Sequence, residues 1–295
     1  MKASFGQSDL WRVCEGLYFP QRFRIRSSLT RRQYQFAVSG LAEMLQRQAK
    51  VSDLADDTLV RFVHWLTGKG LAPKTVNERV GRLKTLWLWL WKKGLVRCGP
   101  TIEKLIEPQR TPRAWNREQL EALFAAAGMM PGRVGQFRAS VWWAGFLSVA
   151  WFTGERTHAL LALRWEWLDG DVLHVPCEVR KGGKKDGLYV LPAECLAKLV
   201  PLSSAGPLIF PWHLTECSFF LHYDRLLRLA KLPTGRAQKV QKIRRSHATW
   251  LKEAGGDPTR SLQHGSPETT IRHYIDPSIC RQPPRLFDPS GDGAG

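Results

Sequence analysis

The sequence predicts a mainly α protein with a minor β component (α+β): an N-terminal helical domain, then a mostly helical second domain carrying one small antiparallel hairpin. Three observations predict it. Apolar residues recur at helical spacing through residues 28–96 and again from Asn116 onward. Alternating, strand-like residues occur once, around 172–191. Between them, from Gly99-Pro100 to Pro108-Gln109-Arg110-Thr111-Pro112, the patterning lapses into prolines and basic residues, the composition of a linker. A chain of 295 residues is long enough for two cores. The expected organisation is a helical domain over 1–105, a linker over 106–113, a second domain over 114–280 and a disordered Gly/Pro-rich tail over 281–295.

Taken in order, Thr30 precedes a helix whose stripe is Tyr34, Val38, Leu41 and Leu45. A second helix carries Leu59, Phe62, Val63 and Leu66 and stops before Gly68 and Gly70. Thr75-Val76-Asn77-Glu78 has capping-box form and opens a third, with Val80, Leu83, Trp87 and Leu90 on its stripe and Gly94 at its end. Lys74, Arg79, Arg82 and Lys84 decorate that helix, either as a solvated face or as a surface laid along a phosphate backbone. The second domain starts at a further capping box, Asn116-Arg117-Glu118-Gln119, before Leu120, Leu123 and Phe124. Strand signals begin only after Asp169-Gly170-Asp171: Val172 to Pro176, a basic glycine turn at 181–187, then Leu188 to Leu191. Helices return to the end. The last begins at Ser266-Pro267-Glu268, where serine caps, proline suits the first position and glutamate complements the dipole; Asp276-Pro277 stops it after Tyr274.

The chain carries 44 Lys+Arg against 26 Asp+Glu, a net charge of +18, which implies a polyanionic partner and makes nucleic acid the default. Residues 1–110 hold 20 basic and 9 acidic side chains, net +11, and the rest 24 against 17, net +7, so both halves are expected to touch that partner. No stretch is apolar enough to span a bilayer and no basic-then-apolar signal opens the chain, so a soluble intracellular protein without membrane contact is expected. The six cysteines are scattered without Cys/His ligand spacing, which suggests neither a zinc site nor a disulfide framework. The thirteen tryptophans cluster at helical spacing, which favours packing over base stacking.

Two islands carry the chemistry. Arg156 follows Thr153-Gly154-Glu155 where the chain enters a helix with apolar Leu160, Leu161 and Leu163. Arg244 opens a helix containing Ala248, Trp250 and Leu251. Two guanidiniums brought together by folding grip the non-bridging oxygens of one phosphate and stabilise the charge that builds there during attack. A histidine, His264, and a tyrosine at a helix end, Tyr274, complete a set that attacks a phosphodiester without metal or nucleotide.

This set resembles the tyrosine recombinase (phage integrase) family over residues 28–278: T-G-x-R at Thr153–Arg156, Leu160-Leu161-Ala162-Leu163-Arg164-Trp165, a lysine on a hairpin, Arg244 with Ala248-Thr249-Trp250-Leu251, Leu262-Gln263-His264, and Tyr274, in the family's order. The resemblance implies that the first domain is a core-binding domain that clasps DNA and the second the catalytic domain. It further implies that Tyr274 attacks a DNA phosphodiester to give a 3′-phosphotyrosine and a 5′-hydroxyl. Arg156 and Arg244 hold the phosphate, His264 donates to a non-bridging oxygen, and Lys181 protonates the leaving oxygen. Lys181 is preferred over Lys184 and Lys185 by its place after the first strand; the other two are candidate DNA contacts. Neither cofactor nor metal is implied. Partners would be double-stranded DNA sites and further copies of the chain, a dimer on one site and a tetramer in synapsis, and the location cytoplasmic, on the nucleoid.

The chain departs from the family pattern at three positions. Gln241 stands where the H-x-x-R box has histidine, with Lys242 or Lys239 as possible substitutes for its proton. Ala159 stands where the family commonly has glutamate, and His273 where the tyrosine usually falls, with Tyr274 one step on. Three other readings are compatible with the charge: a recombinase-fold DNA binder that no longer cleaves, a type IB topoisomerase, and a helical transcription regulator without this chemistry.

Overall fold

A computed structural model describes residues 5–22, 27–181, 185–203, 206–263 and 265–280. Two compact units divide the chain, Met1–Gln109 and Arg110–Gly295. In the first, α1 (Leu10–Val13) runs into a π-helical turn at Cys14–Tyr18, followed by α2 (Ser28–Leu45), α3 (Asp56–Gly68) and α4 (Pro73–Lys92). The expected stripes are its core: Tyr34, Val38 and Leu41 from α2, Leu59, Phe62 and Leu66 from α3, and Val80, Leu83, Trp87 and Leu90 from α4 are all buried. Thr75 does not open α4. The helix starts two residues earlier, at Pro73, whose fixed φ suits the first position. Asn77 is thereby freed to bind the backbone of Leu105 on both sides, accepting from its N–H at 2.9 Å and donating to its carbonyl at 2.8 Å. Asp56 holds the same segment through the N–H groups of Thr101 and Ile102, and Trp87 Nε1 donates to Cys98 O at 2.7 Å. Residues 98–107 therefore lie strapped along the first unit.

The second unit contains α5 (Arg117–Gly128), α6 (Ala139–Thr153), α7 (Thr157–Leu161), α8 (Ala193–Leu199), α9 (Glu216–Leu229), α10 (Gln241–Glu253), α11 (Pro258–Ser261) and α12 (Pro267–Tyr274). The capping box of α5 is formed, Gln119 N–H donating to Asn116 Oδ1 at 2.8 Å and Asn116 N–H to Gln119 Oε1 at 3.1 Å. Helix α6 is apolar all round and forms the centre of the core, with Trp142, Trp143, Phe146 and Leu147 fully buried against Phe210, Phe219 and Tyr223. Aromatics packed like these are worth about 3–5 kcal/mol each when measured by truncation. The tryptophans expected to serve packing include Trp87, Trp115, Trp142 and Trp143, all fully buried.

The hairpin pairs β4 (Val172–Val175) with β5 (Gly187–Val190), Val172 opposite Val190 and Leu173 opposite Tyr189. The sequence missed three two-residue strands. β3 (Leu168–Asp169) adds to β4, and β1 (Arg133–Val134) pairs with β2 (Phe137–Arg138). Two residues leave no room for an alternating pattern to show. All six cysteines are free thiols. No helix among the described residues is long and apolar enough to cross a membrane. The expected tail over 281–295 lies outside the described residues.

One half-buried side chain is expected to make the second unit acid-sensitive. His247 stacks edge-on with Trp151, its Nε2 is 2.9 Å from Ser261 Oγ, and burial pushes its pKa down to about 4. In the unfolded chain an imidazole titrates near about 6.5. Between these values the unfolded state binds the extra proton, so stability present above pH ~6.5 is lost as pH falls towards ~4, by up to about 3 kcal/mol. Denaturant unfolding at pH 7 and 4.5 is expected to show this loss in the wild type and a smaller one in His247→Gln. Equal losses in the two proteins would exclude His247 as its source.

Candidate active site

Helix α6 ends in Gly154, whose φ of 60° is left-handed. A Cβ there would lie 2.7 Å from Leu262 Cδ2 and 2.8 Å from His247 Cδ2, so both the conformation and the space require glycine. The turn delivers Glu155 to the interior and makes Arg156 the N-cap residue of α7. Arg244 comes from the buried face of α10, 1% exposed. Its Nη1 donates to Gly154 O at 2.5 Å and its Nη2 to Leu262 O at 3.2 Å, which ties α10 to the turn after α6 and to the turn after α11. Burial and then the nearby charge of Arg156 lower the pKa of Arg244, so the two guanidiniums share one neighbourhood.

Tyr274 reaches the same place from α12. Ser266 caps that helix, its Oγ accepting from Thr269 N–H, and Pro267 begins it. Thr270 is buried one turn before Tyr274, while Ile271, Arg272 and His273 are exposed, so position 274 and not 273 shares the inward face. The helix ends on the tyrosine because Thr249 Oγ1 donates to Tyr274 O and accepts from Asp276 N–H, both at 3.0 Å. The Arg244 guanidinium lies 5.4 Å from the centroid of the Tyr274 ring, and Gln241 Nε2 donates to the phenol oxygen at 3.3 Å. Neither lysine considered as a stand-in for the missing box histidine is at this hydroxyl. Lys242 sits 3.4 Å over the Trp115 ring, its pKa lowered to about 8 by burial, and Lys239 lies 3.7 Å over Phe220.

Lys181 is exposed just past Arg180. Partial desolvation first, and then the charges of Arg156 and Lys181, hold His158 below the usual imidazole range. Lys185 is exposed. Lys184 and His264 lie outside the described residues. In the first unit Lys74 is exposed, whereas Arg82 is drawn over the Tyr34 ring and bonded to Gln33. Arg79 is half-buried beside Gly40, and Lys84 is committed to the carbonyl of Ile102. The structure thus brings together Arg156, Arg244, Gln241 and Tyr274, and turns Lys84 onto its own chain.

Sequence reasoning gave no role to Glu155, Arg180, Tyr189 and Gln263. Glu155 is 3% exposed and accepts from Arg180 Nε at 2.5 Å, Tyr189 OH at 2.6 Å and Arg156 N–H at 3.1 Å, with Arg244 Nη1 at 3.9 Å. Burial alone would raise its pKa. The Tyr189 hydrogen bond and the charges of Arg180 and Arg244 outweigh it and keep the carboxylate ionised below its usual range. At the foot of the hairpin, Cys177, Glu178 and Asp186 approach within 4.8 Å of one another. Asp186 is already engaged by the Cys177 N–H at 2.8 Å and His174 Nε2 at 3.1 Å, so this cluster pins the turn.

No protein-family model matches the chain, nor does any curated protein. Solved structures do. A lambda integrase(75-356) dimer bound to a COC′ core site superposes with a TM-score of 0.69 at 14% identity, over 94% of this chain and 96% of that one. A Tn1549 transposon integrase in complex with a circular intermediate DNA gives 0.71 at 12% identity, over 91% and 96%. XerH site-specific recombinase bound to difH substrate gives 0.66 at 18%, over 87% and 79%. The fold is that of the tyrosine recombinases. Within that tyrosine recombinase fold the two arginines and the tyrosine come from the turn after α6, from α10 and from the end of α12, the order read in the sequence.

Proposed function

We propose that the protein is a site-specific DNA recombinase or integrase that cleaves and rejoins DNA through a 3′-phosphotyrosine. The observation that supports this most is the meeting of Tyr274 with Arg244 and Gln241, from two helices, at the end of a turn that carries Arg156. The Tyr274 oxygen attacks phosphorus; the P–O5′ bond breaks as the new P–O bond forms. The phenol proton passes to solvent, since the amide of Gln241 orients the hydroxyl but cannot take a proton. Arg156 and Arg244 compensate the charge on the non-bridging oxygens, with His264 as a further donor, and Lys181 gives its proton to O5′. Reversal with the 5′-hydroxyl of another strand completes an exchange, and the phosphotyrosine link conserves the bond energy. Net charge +18 supports the DNA partner. Exchange between two sites calls for several copies, a dimer on each site and a tetramer in synapsis, acting on the nucleoid in the cytoplasm.

The test is a nicked duplex from the end of the protein's own genetic element, which loses its short 5′ fragment on cleavage and traps the intermediate. The expected result is a protein–DNA adduct that survives denaturant. Salt-sensitive binding with no adduct would assign the protein to the non-cleaving binders, and relaxation of supercoils without strand exchange to the topoisomerases.

A further inference from the structure

Three members of one polar network directly precede a candidate catalytic residue in the chain. Glu155 precedes Arg156, Arg180 precedes Lys181, and Gln263 precedes His264. Arg180 is the strut. Its side chain is 8% exposed, and besides Glu155 it donates to Lys185 O at 2.8 Å, to Tyr189 OH at 3.3 Å and to the side chain of Gln263. One guanidinium thus joins the turn after α6, both sides of the lysine turn and the turn after α11. Gln263 adopts a left-handed φ of 52°, a strained conformation for a residue with a Cβ that needs support from outside the turn. The carboxylate at the other end of the strut faces Arg244 as well. Ala159, one turn into α7, is fully buried among apolar residues and offers no polar atom.

We propose that Glu155 and Arg180 are the positioning pair of this site: Glu155 sets Arg244, and Arg180 sets the lysine turn and the turn that carries His264. Neither touches the phosphate. Both act through the residues that follow them. The planar fork of arginine, with five donors, holds three segments at once, which a lysine cannot do. Loss of the Glu155 charge leaves Arg180 and Arg244 without the counter-ion they share, and Arg244 then moves off the Tyr274 ring.

This inference rests on the recombinase reading for its catalytic part, and the experiment separates the two. Wild type, Glu155→Gln, Arg180→Ala and Arg180→Lys are compared on the nicked duplex carrying either the normal 5′ oxygen or a bridging 5′ sulfur at the scissile bond. A thiolate leaves without being protonated, so sulfur removes the need for the lysine proton. Arg180→Ala is expected to slow cleavage of the oxygen substrate about 10–100-fold and to recover most of that on sulfur, since general acid catalysis is worth about 10²–10⁴-fold. Arg180→Lys lies between it and wild type. Glu155→Gln loses rate on both substrates, because Arg244 serves both. DNA affinity stays within about threefold throughout, as neither side chain meets the phosphate backbone.

Equal losses on oxygen and sulfur in Arg180→Lys, or losses that simply follow reduced DNA binding, would overturn the positioning role. A second readout holds whether or not the wild type cleaves. Amide exchange in peptides spanning Arg180–Gly187 and Leu262–Gly265 is expected to quicken in Arg180→Lys and Glu155→Gln relative to the core helix α6. Unchanged exchange there would overturn the inference. A wild type that forms no adduct on either substrate, with the exchange difference present, would overturn only the recombinase reading.

Discussion

Tyr274→Phe is expected to bind DNA as the wild type does and to form no covalent adduct. The change removes one oxygen. The ring keeps its place below the Arg244 guanidinium and beside the small apolar cluster of Ala248, Leu262 and Ile275, so packing is retained. The hydrogen bond that the hydroxyl accepts from Gln241 is long, 3.3 Å, and half-buried, so its loss costs about 1 kcal/mol or less. With no oxygen to form the P–O bond, covalent attachment is abolished and not merely slowed. His273→Ala is the control for the family's usual spacing: His273 is exposed, and its removal is expected to leave the adduct in place. Adduct formation by Tyr274→Phe, measured on the nicked duplex after denaturing electrophoresis, would remove Tyr274 as nucleophile.

That spacing shows how far local sequence reaches. The distance from His264 points to residue 273, but helix phase decides otherwise, because Thr270 is buried and the residue four later shares its face. The inward face was not legible, since the aliphatic Ile271 is exposed and Thr270 buried, whereas the start of α12 was, because Ser266 and Pro267 mark it locally. Helical stripes, the Asn116 capping box and the long strands of the hairpin were legible for the same reason, since each depends on residues within about one or two turns of each other. Thr75 misled because a capping box competes with Pro73 just before it, and proline at the first position won. Glu155 and Arg180 were out of reach for a different reason. An acidic residue between glycine and arginine, or an arginine beside lysines, reads as solvated surface, and only the folded chain brings positions 155, 180, 189 and 263 to one buried point. Likewise the turn of Lys84 onto Ile102 depends on the path of residues 98–107, which no periodicity encodes.

Arg244→Ala is expected to lose both cleavage and stability, and Arg156→Ala cleavage alone. Arg244 is a fully buried cation whose guanidinium bonds Gly154 O and Leu262 O and faces the Glu155 carboxylate. Its truncation leaves two carbonyls short of a donor, a buried carboxylate with one counter-ion fewer, and a cavity where α10 meets the turn after α6. Breaking a buried ion pair from one side costs about 3–5 kcal/mol when the pair is close; at 3.9 Å, with Arg180 still in place on Glu155, a loss of about 2–3 kcal/mol is expected. On the chemical step, removal of one preorganised donor to a developing negative charge costs about 10²–10³-fold. In the proposed mechanism Arg156 contributes to the same charge, but its side chain is only half-buried at the start of α7 and its backbone N–H, not its guanidinium, serves Glu155. Its truncation should therefore reduce single-turnover cleavage by a similar factor with a stability change below about 1 kcal/mol. Denaturant unfolding and single-turnover cleavage on the same preparations separate the two arginines. Arg244→Lys sharpens the comparison: lysine restores the charge but not the fork, so stability recovers in part while cleavage stays low. Full cleavage by Arg244→Lys would mean that charge alone, and not the geometry fixed by Gly154, Leu262 and Glu155, is what the phosphate requires.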